Sequence, residues 1–154
     1  MLVAMPQSLS CLIIHVVFST KDRAPLLDKI IRPALYSYMA TVIRNGGCEC
    51  FRIGGVADHV HIAFGLSRTV TLAQIIEQIK TSTSKWLKTQ PPIELNFSWQ
   101  RGYGAFSVAR ADLEQLLNYI DVQETHHQEI SFLDEYRRFL ERYKICYDED
   151  YVWD

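Results

Sequence analysis

The residues best placed to do chemistry lie in DHVHIAF, residues 58–64, where two histidines stand one residue apart. On a strand, successive side chains point to opposite faces, so His59 and His61 share one face while Val60, Ile62 and Phe64 share the other. Two neighbouring imidazoles can hold one metal ion. They can equally be two half-buried histidines with ordinary hydrogen-bond partners, and the pair alone does not choose between these readings. A second stretch is NYIDVQETHH, residues 118–127. Tyr119 and Gln123 are four apart and therefore neighbours on one helix face, flanking the stripe of Leu113, Leu116, Leu117 and Ile120. Spacing alone would also suit a packing tyrosine.

These residues need elements to carry them. Cys11–Ser19 is a β-branched run that reads as a buried strand. A helix is expected over about Asp28–Arg44, with Pro33 in its first turn and Asn45-Gly46-Gly47 ending it. Cys48–Ile53 and His59–Leu66 form a hairpin around Gly54-Gly55-Val56-Ala57. Leu72, Ile75, Ile76, Ile79 and Trp86–Leu87 mark a second helix before Pro91-Pro92. Leu95–Trp99 and Tyr103–Ala109 are strand-like around Arg101-Gly102. A third helix follows from Leu113, and a fourth from Phe132 to Tyr143. The order β-α-β-β-α-β predicts an α+β, ferredoxin-like (RRM-like) antiparallel sheet. Helices cover one face, the other is open to a ligand or partner, and extra helices follow at the C-terminus.

A chain of 154 residues, 48% hydrophobic and 22% charged, is expected to form a single domain over 1–154. The longest apolar run, Cys11–Phe18, is far short of the ~18–20 residues of a membrane span. The opening MLVAMPQSLS lacks the basic and apolar regions of a signal peptide, so a cytoplasmic location is expected. The net charge of −2 hides an asymmetry: residues 1–67 carry +2, residues 68–110 carry +4 and residues 111–154 carry −8. That total argues against indiscriminate nucleic-acid binding, yet a local basic patch remains open to the first 110 residues. Cys11, Cys48, Cys50 and Cys146 make no CxxC pair and read as small hydrophobes in a reducing compartment.

Taken in order, HVVFSTKDR, IGGVADHVHI, FSWQRGYGAFSV, NYIDVQETHH and YDEDYVWD give the chain a specific likeness across most of its length. It resembles the HUH (His-hydrophobic-His) single-tyrosine transposases of the IS-two-hundred-like bacterial insertion sequences. That resemblance implies a transposase, an enzyme of DNA transposition and recombination, which cleaves and rejoins single-stranded DNA at element ends through a 5′-phosphotyrosine. It implies Tyr119 as the nucleophile and His59, His61 and Gln123 as ligands of a divalent ion, Mg²⁺ or Mn²⁺. It also implies a hairpin-bearing single-stranded DNA partner, a homodimer and association with the nucleoid. Lys21, Arg23, Lys80, Lys85, Lys88 and Arg101 are the cations expected to contact DNA phosphates.

Two rivals make different demands. A structural zinc site of Cys48, Cys50, His59 and His61 depends on hairpin register: with Cys50 opposite Ile62 the cysteines face the helices, and a one-residue slip reverses this. A non-catalytic module binding single-stranded nucleic acid on the open sheet face would use RGYGAFSVA, 101–109, which approaches the RRM aromatic signature.

Overall fold

The computed structural model describes residues 6–93 and 96–154. Its strands are β1 (Ile13–Ser19), β2 (Glu49–Gly55), β3 (His59–Gly65) and β4 (Gly104–Val108), and its helices are α1 (Arg32–Asn45), α2 (Leu72–Leu87), α3 (Leu113–Asp121), α4 (Gln123–His126) and α5 (Phe132–Arg142). The sheet runs β2-β3-β1-β4 with every neighbour antiparallel. This is the expected α+β, ferredoxin-like arrangement.

Local chemistry accounts for the helix starts. Asp28 Oδ1 accepts from the amides of Ile30 and Ile31, which makes a separate turn and delays α1 to Arg32, one residue before Pro33. Thr71 and Gln74 form a reciprocal capping box for α2, and Ser131 caps α5 by accepting from Asp134 N.

Strand alternation then divides the molecule. Val16, Phe18, Val60, Ile62 and Phe64 point to one face and are buried against Leu35, Met39 and Ile43 of α1 and Ile75, Ile76 and Ile79 of α2. On the other face Val17 of β1 and Phe106 of β4 meet Phe132, Tyr136 and Leu140 of α5. That second face is therefore not open: the C-terminal helices close it. A Cβ on Gly104 would come within 2.6 Å of the Tyr136 ring, and one on Gly54 within 2.7 Å of Ile120 Cγ2, so both glycines let these helices sit close to the sheet.

Two further expectations are corrected. Of the two segments read as strands around Arg101-Gly102, only Gly104–Val108 forms a ladder; Leu95 lies outside the described residues. Ser98–Gln100 makes a short bridge to the end of β1, through Lys21 N to Ser98 O and Gln100 N to Ser19 O. The partner of β1 is interrupted at 101–103, where the carbonyls of Gln100, Arg101 and Gly102 accept from Lys80 Nζ at 2.7, 3.2 and 2.6 Å. The expected third helix also breaks. Val122 leaves helical geometry (φ −100°, ψ 18°), so Tyr119 and Gln123 sit on two short consecutive helices.

Candidate functional site

The site begins on β3. His59 and His61 are fully buried and face the C-terminal helices, and His15 of β1 stands behind His61, its Nε2 2.8 Å from His61 Nδ1. Opposite them, α3 brings Tyr119, α4 brings Gln123 and His126, and His127 follows α4. Glu135, on the first turn of α5, lies at the centre and is buried. Its Oε1 is 2.9 Å from His61 Nε2, 3.2 Å from His127 Nε2 and 3.4 Å from His59 Nε2. Its Oε2 accepts from the Tyr119 hydroxyl and lies 3.0 Å from His126 Nε2 and 3.5 Å from Gln123 Nε2.

Four sequence-expected residues are thus gathered at one place: His59, His61, Tyr119 and Gln123. His15, His126, His127 and Glu135 join them without being singled out by the sequence pattern. The His126–His127 doublet is visible beside Gln123 in the sequence, but Glu135 carries no signal there. It is one of twelve acidic residues in a tail that reads as a solvated helix face.

The electrostatics follow from burial. Burial, with His61 adding to it, holds His15 down to about 3, and burial holds His61 down to about 4 against the pull of Glu135, so both are neutral imidazoles. Burial also opposes charge on His59, but the hydrogen bond to Asp58 and the nearby Glu135 carboxylate outweigh it and raise that imidazole; a metal ion entering here competes with that one proton. For the Glu135 carboxyl, burial acts upward, and the facing imidazoles of His127, His59 and His61 override it, leaving the group well below the usual carboxylate range. The Tyr119 phenol is pushed well above its usual range, first by burial and then by the Glu135 charge. It stays protonated until positive charge arrives nearby.

Ligand atoms of His59, His61, His127 and Glu135 lie within 4.8 Å of one another, so this group could hold a metal ion. Buried polar atoms support that fit: His59 Nε2, His127 Nε2 and Gln123 Oε1 have no well-formed hydrogen bond. Three imidazoles with a carboxylate and an amide oxygen suit a first-row transition ion, Mn²⁺ among them, better than Mg²⁺.

The rivals fail on geometry. Cys50 pairs opposite Phe64, past a bulge between Cys50 and Arg52, and Cys48 is buried in the core beneath α1 and α2, so neither cysteine joins the histidines. Phe106, the aromatic an open sheet would offer to a base, is 2% exposed and stacked on Phe139.

The expected DNA-contacting cations are dispersed. Lys21 and Arg23 form a turn just beyond Ser19, whose partner on β3 is His59, so they lie at the His59 end of the sheet. Lys80, Lys85, Lys88 and Arg101 line a groove of about 510 Å³ between α2 and the 99–103 loop. Lys80 is committed to three carbonyls, and burial lowers it to about 8. It is a strap rather than a free cation. Nearer to Tyr119 are Arg138 and Arg142, which line a cleft with it, His126 and Glu135. Lys29 and Arg32 both pair with Glu124 beside His127.

Fold and site together define a class: a four-stranded antiparallel sheet with paired histidines on a central strand and a tyrosine docked over them. The sequence profile of the family described as "Transposase IS200 like" matches residues 8–123, and the chain belongs to that family. It is similar to a solved structure from Deinococcus radiodurans R1 assigned as a transposase, at 18% identity and a TM-score of 0.61, covering 79% of this chain and 98% of that one. It is also similar to a REP-associated tyrosine transposase bound to a REP hairpin, at 14% identity and a TM-score of 0.61, covering 84% of this chain and 76% of that one. At these identities the likeness is one of fold. No curated protein matches. The family match stops at Gln123, so His126, His127 and Glu135 all lie beyond it.

Proposed function

We propose that the chain is a metal-dependent, single-tyrosine transposase that cleaves and rejoins single-stranded DNA. The observation that carries this reading is the hydroxyl of Tyr119, which reaches into the buried cluster built on His59 and His61. Tyr119 is the nucleophile: its oxygen attacks a backbone phosphorus, the bond from phosphorus to the 3′-oxygen breaks, and the DNA 5′ end remains on the tyrosine. The phenol loses one proton and the departing 3′-oxygen gains one. One phosphodiester replaces another, so a second 3′-hydroxyl can reverse the step without an energy source.

His59, His61 and Gln123 hold a divalent ion, Mn²⁺ or Mg²⁺. When bound, it polarises the scissile phosphate and supplies the positive charge that the Tyr119 phenol requires. Arg138 and Arg142 flank Tyr119 and suit the adjoining phosphates; Lys21, Arg23, Lys85, Lys88 and Arg101 suit the more distant backbone. A hairpin-bearing strand is the proposed substrate, by analogy with the hairpin held by the REP-associated relative. The single domain over 1–154, the homodimer and a cytoplasmic, nucleoid-associated location belong to the same proposal. Among the described residues no helix is long and apolar enough to cross a membrane. Tyr119 reaches the histidines of its own chain, so a second copy is not needed to complete the cluster.

The test is incubation of labelled single-stranded DNA from the gene's own flanks with Mn²⁺ or Mg²⁺, followed by denaturing electrophoresis. A protease-sensitive adduct with Tyr119, absent in Tyr119→Phe, is expected. Binding without any adduct would overturn the catalytic reading.

A further inference from the structure

Each of the three imidazoles around Glu135 Oε1 is held from behind. His59 Nδ1 faces Asp58 Oδ1 at 2.6 Å, His61 Nδ1 faces His15 Nε2 at 2.8 Å, and His127 Nδ1 donates to the Ile130 carbonyl at 2.8 Å. The carboxylate and the carbonyl fix an outward Nδ1 proton on His59 and His127, and all three rings turn Nε2 inward. They converge on Glu135 Oε1, itself only an acceptor. Three imidazole nitrogens and a carboxylate oxygen facing one another make a cation cage, in which an ion displaces any proton held between them, and two of the three nitrogens have no well-formed hydrogen bond. The other carboxylate oxygen, Oε2, faces away from this cage and takes the Tyr119 hydroxyl.

We propose that Glu135 is a bridging carboxylate, a ligand of the divalent ion through Oε1 together with His127, and the holder of the Tyr119 hydroxyl through Oε2. Occupancy of the metal and position of the nucleophile are then one event, because a single rigid group reports to both. Three imidazoles favour a first-row transition ion over Mg²⁺; Mn²⁺, the weakest binder of that row, is the probe used below. The part concerning the nucleophile rests on the proposed role of Tyr119 in DNA cleavage.

The proposal is tested without DNA. Mn²⁺ binding to the full chain is followed by loss of the free-ion electron paramagnetic resonance signal. Glu135→Gln and His127→Ala should each weaken binding at least as much as loss of an outer partner that only orients a ligand, roughly 10–100-fold, while Tyr119→Phe should leave it nearly unchanged. Separately, protein carrying ¹³Cζ-tyrosine is titrated with diamagnetic Zn²⁺, with the Tyr119 resonance assigned by its loss in Tyr119→Phe. That resonance should move in the wild type and stay still in Glu135→Gln. Wild-type Mn²⁺ affinity in Glu135→Gln or His127→Ala overturns the ligand assignment. A Tyr119 resonance indifferent to Zn²⁺ in the wild type overturns the bridge. Should Glu135→Gln not fold, as judged by near-ultraviolet circular dichroism, His127→Ala and the wild-type Zn²⁺ titration decide by the same outcomes. A protein that binds Mn²⁺ as expected yet never forms a DNA adduct would refute the proposed function and leave the metal cage standing.

Discussion

The two faces of the sheet are built from alternate residues of the same strands and obey different rules. Toward α1 and α2 the side chains are apolar and closely packed: Val60, Ile62 and Phe64 are fully buried among Leu35, Met39 and Ile79. Toward α3–α5 the same strand presents His59 and His61 to a buried carboxylate and a half-buried tyrosine. The first face lowers free energy simply by removing apolar area from water. The second buries ionisable groups, which an apolar replacement of equal volume would often match or exceed in stability. A polar cluster kept at that cost marks the face on which the proposed chemistry rests, and the apolar face is what holds it in place.

The contrast can be broken most completely at Tyr119. Tyr119→Phe keeps the ring and removes the oxygen, so covalent DNA attachment should fall to zero while hairpin binding persists. The accompanying stability loss should be about 1 kcal/mol, the usual size of one hydrogen bond, measured by urea denaturation. An adduct that persists would move the nucleophile elsewhere.

The next effect belongs to the opposite face. Ile62→Ala should cost about 2–5 kcal/mol of stability by opening a cavity, seen as a lower urea midpoint. Adduct formation per folded molecule should hardly change. His61→Ala should do the reverse, abolishing adduct formation in protein that still folds. If both variants lost activity and stability alike, the division between the faces would be wrong.

A smaller effect sharpens the boundary. Gly54→Ala places a methyl 2.7 Å from Ile120 Cγ2 and 2.8 Å from the Ile120 carbonyl oxygen, next to Tyr119. Moving α3 aside should cost about 1–3 kcal/mol, as overpacking does, and the rate of adduct formation should drop more than DNA affinity. Equal losses in both would show that α3 is not held by this contact.

The smallest effects separate the lysines of α2. Lys85→Ala should weaken DNA binding slightly and reduce its salt dependence by about one counterion, with no change in melting temperature. Lys80→Ala should instead lower the melting temperature, since three carbonyls lose their donor. Lys80→Ala that weakened DNA binding at unchanged stability would restore it as a phosphate contact.

Much of the site is legible in the sequence because alternation is a local property. The period of two in DHVHIAF is enough to place the histidines and the core trio on opposite faces, and the Tyr119–Gln123 spacing survives even though the helix between them breaks at Val122. Closure of the second face is not legible. It depends on α5 docking over Gly104 and Phe106, which lie about thirty residues earlier, and no local pattern encodes that contact. Glu135 is hidden for the same reason: on an amphipathic helix a glutamate reads as solvent-facing until the partner surface is known. Lys80 misleads in the opposite direction, because a lysine on a helix surface shows no sign of the carbonyls it will tie down.

The interleaving of imidazole and aliphatic side chains along β3 also bears on how the chain finds its native pairing. A slip of one residue would move His59 and His61 into the space between Leu35, Met39 and Ile79 and turn Val60 and Ile62 toward Glu135. Each imidazole stranded there without a partner would cost roughly 2–7 kcal/mol, so the misregistered sheet is rejected by the very residues that face Glu135 in the native one. The bulge at Cys50/Arg52 adds a second check, because only one alignment absorbs its extra residue. The histidine pair thus acts during folding as a proofreader of strand register.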